Sequence, residues 1–158
     1  MAKRKPRIKI DLRDASNEIN IFKKKAKDEA AGVLRDETLK AIRRGVSPVK
    51  GFGRFEPYSE TYKTAIKKKR YPNKRRIRPI NMTLTGEMLK SIFVKIKKNS
   101  VIIGFDNKLA DIHNRLGAGK SKVVRRLLPT NEGERFSRKI TTELSKVLTK
   151  VAREIFKG

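Results

Sequence analysis

The sequence predicts an α+β fold in which a small antiparallel β-sheet is packed by a long N-terminal helix and a long C-terminal helix, with extended basic loops. Three observations predict it. Apolar residues between Ile19 and Ile42 recur close to helical spacing, and those between Phe136 and Ile155 recur at steps of three and four. Between these stretches, residues 92–105 switch to a period of two, as a half-buried hairpin requires. The chain has 158 residues, no internal repeat and no low-complexity linker, which fits a single domain over residues 1–158.

Residues 1–6 read as a basic tail. Residues 7–13 alternate strictly, with Ile8, Ile10 and Leu12 on one face, and predict a first strand able to pair with the later hairpin. Asp14 or Ser16 is then the expected N-cap of the first long helix, with Glu18 in its first turn. Its apolar stripe is Ile19, Phe22, Ala26, Ala30, Val33, Leu34, Ala41 and Ile42. Arg43, Arg44 and Gly45 should end it, since cations suit a helix C-terminus and glycine the left-handed position beyond.

Residues 47–57 hold two prolines and two glycines and read as loop, with Phe52 and Phe55 expected to plug the edge of the core. Residues 58–66 predict a short helix with Tyr58, Tyr62, Ala65 and Ile66 on one side. From Thr61 to Ile80 there are nine cations and no acid: Lys63, Lys67, Lys68, Lys69, Arg70, Lys74, Arg75, Arg76 and Arg78. Such a block is expected to be an extended loop until something negative orders it.

Residues 84–105 are the expected nucleus of the fold. Thr85 is placed to cap a brief helix carrying Met88, Leu89 and Ile92. Ile92, Val94 and Ile96 then share one face of a strand, residues 98–100 turn, and residues 101–105 return as a strand apolar on both sides, expected to be the more central. Asp106 or Asn107 should cap a helix over 108–116 with Leu109, Ile112 and Leu116 inward and Gly117 as its stop. Residues 117–126 form a second loop whose charges, Lys120, Lys122, Arg125 and Arg126, are all basic. Asn131 with Glu134 resembles a capping box and predicts the start of the last helix, which runs to about Phe156 and packs onto the sheet.

Composition narrows the function. The 42 Lys and Arg against 16 Asp and Glu give a net charge of +26, so a polyanion or acidic protein surfaces should stabilise the chain. Solubility alone calls for a charge of only about 2–8. With zero Cys, disulfides, Cys-ligated zinc and thiol nucleophiles are excluded. The start is too polar for a signal peptide and no apolar run is long enough to span a bilayer, so folding in the cytosol and no membrane partner are expected.

Enzymatic constellations are missing. Gly119-Lys120-Ser121 suggests a phosphate loop, but Asn114 stands where that motif needs glycine, and a helix rather than a strand is expected before it. His113 is the single histidine and cannot build a multi-histidine metal site. Asp106 and Asp111 lie beside it with no partnered nucleophile, so a structural histidine at a helix surface or subunit contact is expected. No catalytic residue, metal site or cofactor is predicted.

The order of motifs carries a resemblance. Leu84-Thr85-Gly86-Glu87-Met88-Leu89-Lys90-Ser91-Ile92, then Val101-Ile102-Ile103-Gly104, then Ala110-Asp111-Ile112-His113-Asn114-Arg115-Leu116-Gly117 resemble the tailed-bacteriophage virion morphogenesis and tail-completion proteins. Ser47-Pro48, Tyr58-Ser59 and Tyr62-Lys63 resemble the same family's linker. The motif positions are Leu84, Thr85, Gly86, Leu89, Ser91, Ile92, Gly104, His113 and Gly117. Leu109 departs from the aromatic expected before Ala110.

The resemblance implies a non-enzymatic structural protein of the virion. It would form a homo-oligomeric ring at the head–tail junction (neck) or the top of the tail and complete head–tail joining after assembly in the host cytoplasm. Implied partners are other neck and tail proteins, on the portal or adaptor side and on the tail-tube or terminator side, with double-stranded DNA in the lumen as a further candidate. The thirteen cations of the two loops, from Lys63 to Arg78 and from Lys120 to Arg126, are the candidate contacts. A stand-alone basic nucleic-acid-binding protein, with Tyr71 and arginines stacking on bases, is the alternative; a small phosphate-handling enzyme is a third reading, motivated by Gly119-Lys120-Ser121 alone.

Overall fold

The computed structural model describes residues 12–156, apart from Arg75, residues 83–85, Asn99 and Ser121, and side chains from Ile19 onward. Helix α1 spans Leu12–Arg43, roughly 48 Å at 1.5 Å per residue. The strand expected over 7–13 falls mostly on residues 1–11, outside the described residues, and Leu12 and Arg13 are already helical. Asp14 and Ser16 therefore lie within α1 instead of capping it. A good cap contributes about 1 kcal/mol, too little to oblige a helix to begin there.

The C-terminus of α1 is as predicted. Gly45 adopts φ +76°, Gly45 N–H donates to the Ile42 carbonyl at 2.9 Å and Val46 N–H to that of Ala41 at 3.1 Å. This pair of bonds is the Schellman arrangement, which satisfies carbonyls the helix leaves open. Along the stripe Ala26, Leu34 and Ile42 are buried, and Thr38 and Leu39 join them; Ile19 is exposed.

Strands β1 (Ile92–Lys97) and β2 (Ser100–Phe105) form an antiparallel hairpin, with Phe93 opposite Gly104 and Val94 opposite Ile103. Added to Gly104, a Cβ would stand 2.5 Å from Phe93 Cζ, so the missing side chain is what lets the ring lie across the partner strand. β2 is not central: among the described residues the sheet has two strands, and Ile102 is exposed while Ile103 and Phe105 pack on the core. Before the hairpin, α3 is only Glu87–Lys90 and buries Met88 and Leu89. Gly86 at φ +80° precedes it, and the expected cap Thr85 lies outside the described residues, as does Leu84.

Asn107 caps α4 (Lys108–Asp111), its side chain accepting from Leu109 N–H at 2.9 Å. The helix then loosens into a π-helical turn, Ile112–Leu116, closed by Gly117. The wider turn changes which residues face inward. Leu109 and Leu116, expected in the core, are 53% and 64% exposed, while Ala110 and Asn114 are buried.

Asn131 and Glu134 do pair: Glu134 accepts from the backbone N–H groups of Thr130 and Asn131 at 2.9 and 3.1 Å. They close a turn and do not start the helix. α5 is Arg138–Ile155, beginning after Phe136 has bridged to Val49. α5 buries Ile140 and Val151 and runs along α1, where Phe22 and Phe156 meet at 5.6 Å between ring centroids and Lys25 bonds Glu154 at 2.6 Å. α1 is the common partner of α5 and of both strands. The main core joins Leu39 and Ile42 of α1 to Phe55, Met82, Met88, Leu89, Ile92, Ala110 and Leu127. Phe55 thus fills the core edge as expected, whereas Phe52 is exposed beneath the Arg126 guanidinium at 5.4 Å. No helix among the described residues is long and apolar enough to cross a membrane.

Candidate partner-binding surface

The basic segment begins on α2 (Glu60–Lys67), which places Ile66 in the interior, and Tyr58, just ahead of the helix, is buried too. Glu60 in the first turn bonds Lys63 at 2.5 Å, and the same carboxylate, its pKa lowered chiefly by that bond, also feels Lys67. Lys63 is therefore partly taken up inside the chain. The helix ends in a second Schellman arrangement: Lys69 N–H donates to the Ile66 carbonyl at 2.9 Å and Arg70 N–H to that of Ala65 at 3.0 Å. Here the left-handed residue is Lys69, at φ +55°, instead of a glycine.

Beyond it the chain folds back. Tyr71 stacks on Tyr62 with centroids 6.1 Å apart and planes 25° apart, and Tyr62 meets Tyr58 at 6.4 Å. Lys74 turns inward and is 4% exposed. Its Nζ donates to the Pro79 carbonyl and, at 2.9 Å, to Asn81 Oδ1, and stands 5.8 Å from the Tyr58 ring centroid. Burial lowers its pKa from the ordinary lysine value. The expectation of an extended loop over residues 61–80 is thus corrected: an α-helix, a ring stack and one buried ammonium hold the segment on the core. Arg75 lies outside the described residues. Lys67, Lys68, Lys69, Arg70, Arg76 and Arg78 are exposed.

The second basic loop divides in the same way. Ala118 and Val123 bridge to each other, and between them Lys120 and Lys122 are exposed. Arg125 is 6% exposed, and its guanidinium donates to the Glu56 carbonyl at 3.2 and 3.3 Å and to that of Pro57 at 3.0 Å. Arg126 donates to the Asn114 carbonyl at 2.7 Å and pairs with Glu134 at 3.3 Å. Lys74, Arg125 and Arg126 are therefore internal tethers and not free contacts. A buried cation is tolerable when carbonyl oxygens replace its water, which is what Lys74 and Arg125 find.

Asn114 is the junction that sequence reasoning passed over. Its Oδ1 accepts from Leu127 N–H at 2.6 Å and Leu128 N–H at 2.9 Å, and its Nδ2 donates to Thr130 Oγ1 at 2.9 Å. The signal available was an amide four residues after Ala110 on one helix face, and only the inward rotation of that face gives it meaning. His113 beside it has Nδ1 buried with no hydrogen-bond partner among the described residues. Burial, with the nearby Arg125 charge, depresses its pKa to about 4.

Of the resemblance motif, Leu89 and Ile92 are core, Ser91 Oγ donates to the Met88 carbonyl at 2.7 Å, and Gly86, Gly104 and Gly117 occupy positions where the backbone or a neighbour leaves little choice. The motif thus builds the scaffold, and the exposed cations project from it. Among the described residues no group of three His, Asp or Glu side chains is close enough to hold a metal. A groove of about 530 Å³ runs beside α1 and is rimmed by Asp28, Glu29, Asp36, Glu37 and Glu143. No family model, no curated protein and no solved structure matches the chain.

Proposed function

We propose that this protein is a structural subunit of a tailed-phage virion, forming an oligomeric ring at the head–tail junction or the top of the tail and completing head–tail joining. The reading rests on the ordered motifs of residues 84–117 and on the charge. One observation carries it: six cations, Lys67 to Arg70 with Arg76 and Arg78, are exposed on a segment the core holds in place. The chain spends binding groups on fixing this surface and leaves its charge for other molecules to balance. Ring closure of copies at +26 each requires such outside counter-charge, supplied by acidic faces of neighbouring virion proteins or by a polyanion.

The test is imaging of purified virions carrying labelled protein. Label at the neck or the top of the tail is the expected result; label absent from both would overturn the proposal. Cross-linking followed by mass measurement of the assembled particle gives the copy number.

A further inference from the structure

We infer that the surface formed by Lys67, Lys68, Lys69, Arg70, Arg76 and Arg78 grips the phosphate backbone of double-stranded DNA without reading its bases. A second copy of this chain cannot neutralise the surface, because each copy brings 42 cations and only 16 acids and so adds a further +26. Seven of the carboxylates, Asp36, Glu37, Glu60, Asp111, Glu134, Glu143 and Glu154, already stand in ion pairs within the chain. The acidic groove beside α1 illustrates the shortfall: Asp36, Glu37 and Glu143 on its rim face Arg35, Lys40 and Lys146 of their own helices. By contrast duplex DNA carries one phosphate per about 1.7 Å of axis, so roughly 44 Å of it balances 26 charges.

The surface is also pre-organised. The Lys69 and Arg70 amides are locked on α2, and Lys74 ties its segment to Pro79 and Asn81, enclosing Arg76 and Arg78. Holding the backbone beforehand removes part of the ordering cost of association. Single-strand binders offer aromatic rings for bases to stack on. Here Tyr58 is buried, and Tyr62, although 42% exposed, is already stacked on Tyr71 with ring centroids 6.1 Å apart, so these rings pair with each other and the contact is to phosphates. This inference rests on the ring reading only for where the duplex would be met; binding in solution needs no virion, so the two proposals fail separately.

The experiment is fluorescence anisotropy of a labelled random-sequence duplex over a salt series. Wild-type log K should fall linearly with log salt. Removing four phosphate contacts by Lys67→Ser, Lys68→Ser, Lys69→Ser and Arg70→Ser together should flatten the slope by about 3 to 4, at roughly 0.9 per phosphate. A matched variant, Lys23→Ser, Lys24→Ser, Lys97→Ser and Lys108→Ser, removes the same charge elsewhere and should leave most of the slope. Equal flattening by both variants would mean diffuse attraction and overturn the assignment. So would equal competition by polyglutamate, which would point to an acidic protein, or tighter binding to a single strand of the same length. Should the fourfold variant fail to fold, Lys69→Gly serves, since glycine suits φ +55°: a slope reduced by about one supports the site and an unchanged slope overturns it.

Discussion

At Gly117 a methyl group would stand 2.1 Å from the Lys122 carbonyl oxygen and 2.4 Å from its carbon, closer than any real contact. The neighbour is backbone and cannot swing away, because Ala118 and Val123 exchange two hydrogen bonds across the same turn. Gly117→Ala, at φ +82°, should therefore cost more than about 3 kcal/mol, within the range of the severe single substitutions. Urea denaturation measures it, and a loss under about 1 kcal/mol would refute the described geometry. Four residues earlier His113 carries a different liability. Its folded pKa is about 4, lowered by burial and then by Arg125, against 6.5 for the ordinary group. Between those values the unfolded chain binds the proton and the folded chain does not, so stability is intact above about pH 6.5 and falls as pH drops toward 4. The full loss approaches about 3 kcal/mol at 1.36 kcal/mol per pKa unit. Unfolding curves from pH 7 to 4 should show it, and His113→Gln should remove this part of the acid sensitivity while leaving that of the carboxylates. An unchanged pH profile in His113→Gln would refute the burial of this imidazole.

At the scale of elements, the two Schellman ends make a natural comparison. α1 closes on Gly45 and α2 on Lys69, with the same pair of backbone bonds and φ values of +76° and +55°. A lysine in the left-handed region costs about 1–2 kcal/mol relative to the right-handed one, whereas glycine visits both freely. Lys69→Gly should therefore raise stability by about 0.5–1 kcal/mol while removing one exposed cation, opposite signs for stability and for the proposed binding. Chemical denaturation gives the first; a fall in stability would mean that the Lys69 side chain contributes to the fold. The C-terminal end of α1, the period-two hairpin, the Asn107 cap and the stripe of α5 were all legible in the sequence because each is written in residues close together in the chain. What was not legible depends on residues far apart. Leu109 and Leu116 keep helical spacing, and only the π-helical turn at Ile112 rotates Asn114 inward in their place. Asn131 and Glu134 bond as a capping pair would, yet the bridge from Phe136 to Val49 delays α5 to Arg138. For the candidate surface, counting charges located the two basic segments but could not sort them. Lys74 is fixed by a carbonyl and an amide a few residues away, and Arg125 by carbonyls 68 and 69 positions distant, and neither leaves a periodic trace.

For the whole molecule the governing quantity is the imbalance of +26. Two like charges about 20 Å apart in water repel by only about 0.2 kcal/mol, but 26 net charges make hundreds of such pairs, and unfolding separates them. The ion pairs at the surface, such as Lys25 with Glu154 and Lys146 with Glu143, act the other way and weaken with salt, and each contributes little because water screens it. Self-repulsion is the larger effect because it sums over the molecule, whereas the ion pairs are few and local. Raising ionic strength shortens the Debye length to about 8 Å at 0.15 M and removes most of the long-range repulsion. The isolated protein should therefore gain thermal stability as sodium chloride rises from about 0.02 to 0.15 M, by about 5 °C or more, since 1 kcal/mol corresponds to about 2–4 °C at this size. A duplex at low salt should raise the midpoint further than sodium chloride of equal ionic strength, because bound phosphates neutralise charge at contact and simple ions do so only on average. Scanning calorimetry separates the cases. A midpoint that falls with salt would show the local ion pairs outweighing the repulsion, and a duplex no better than its equivalent in salt would remove the physical basis for assigning the exposed cations to a polyanion.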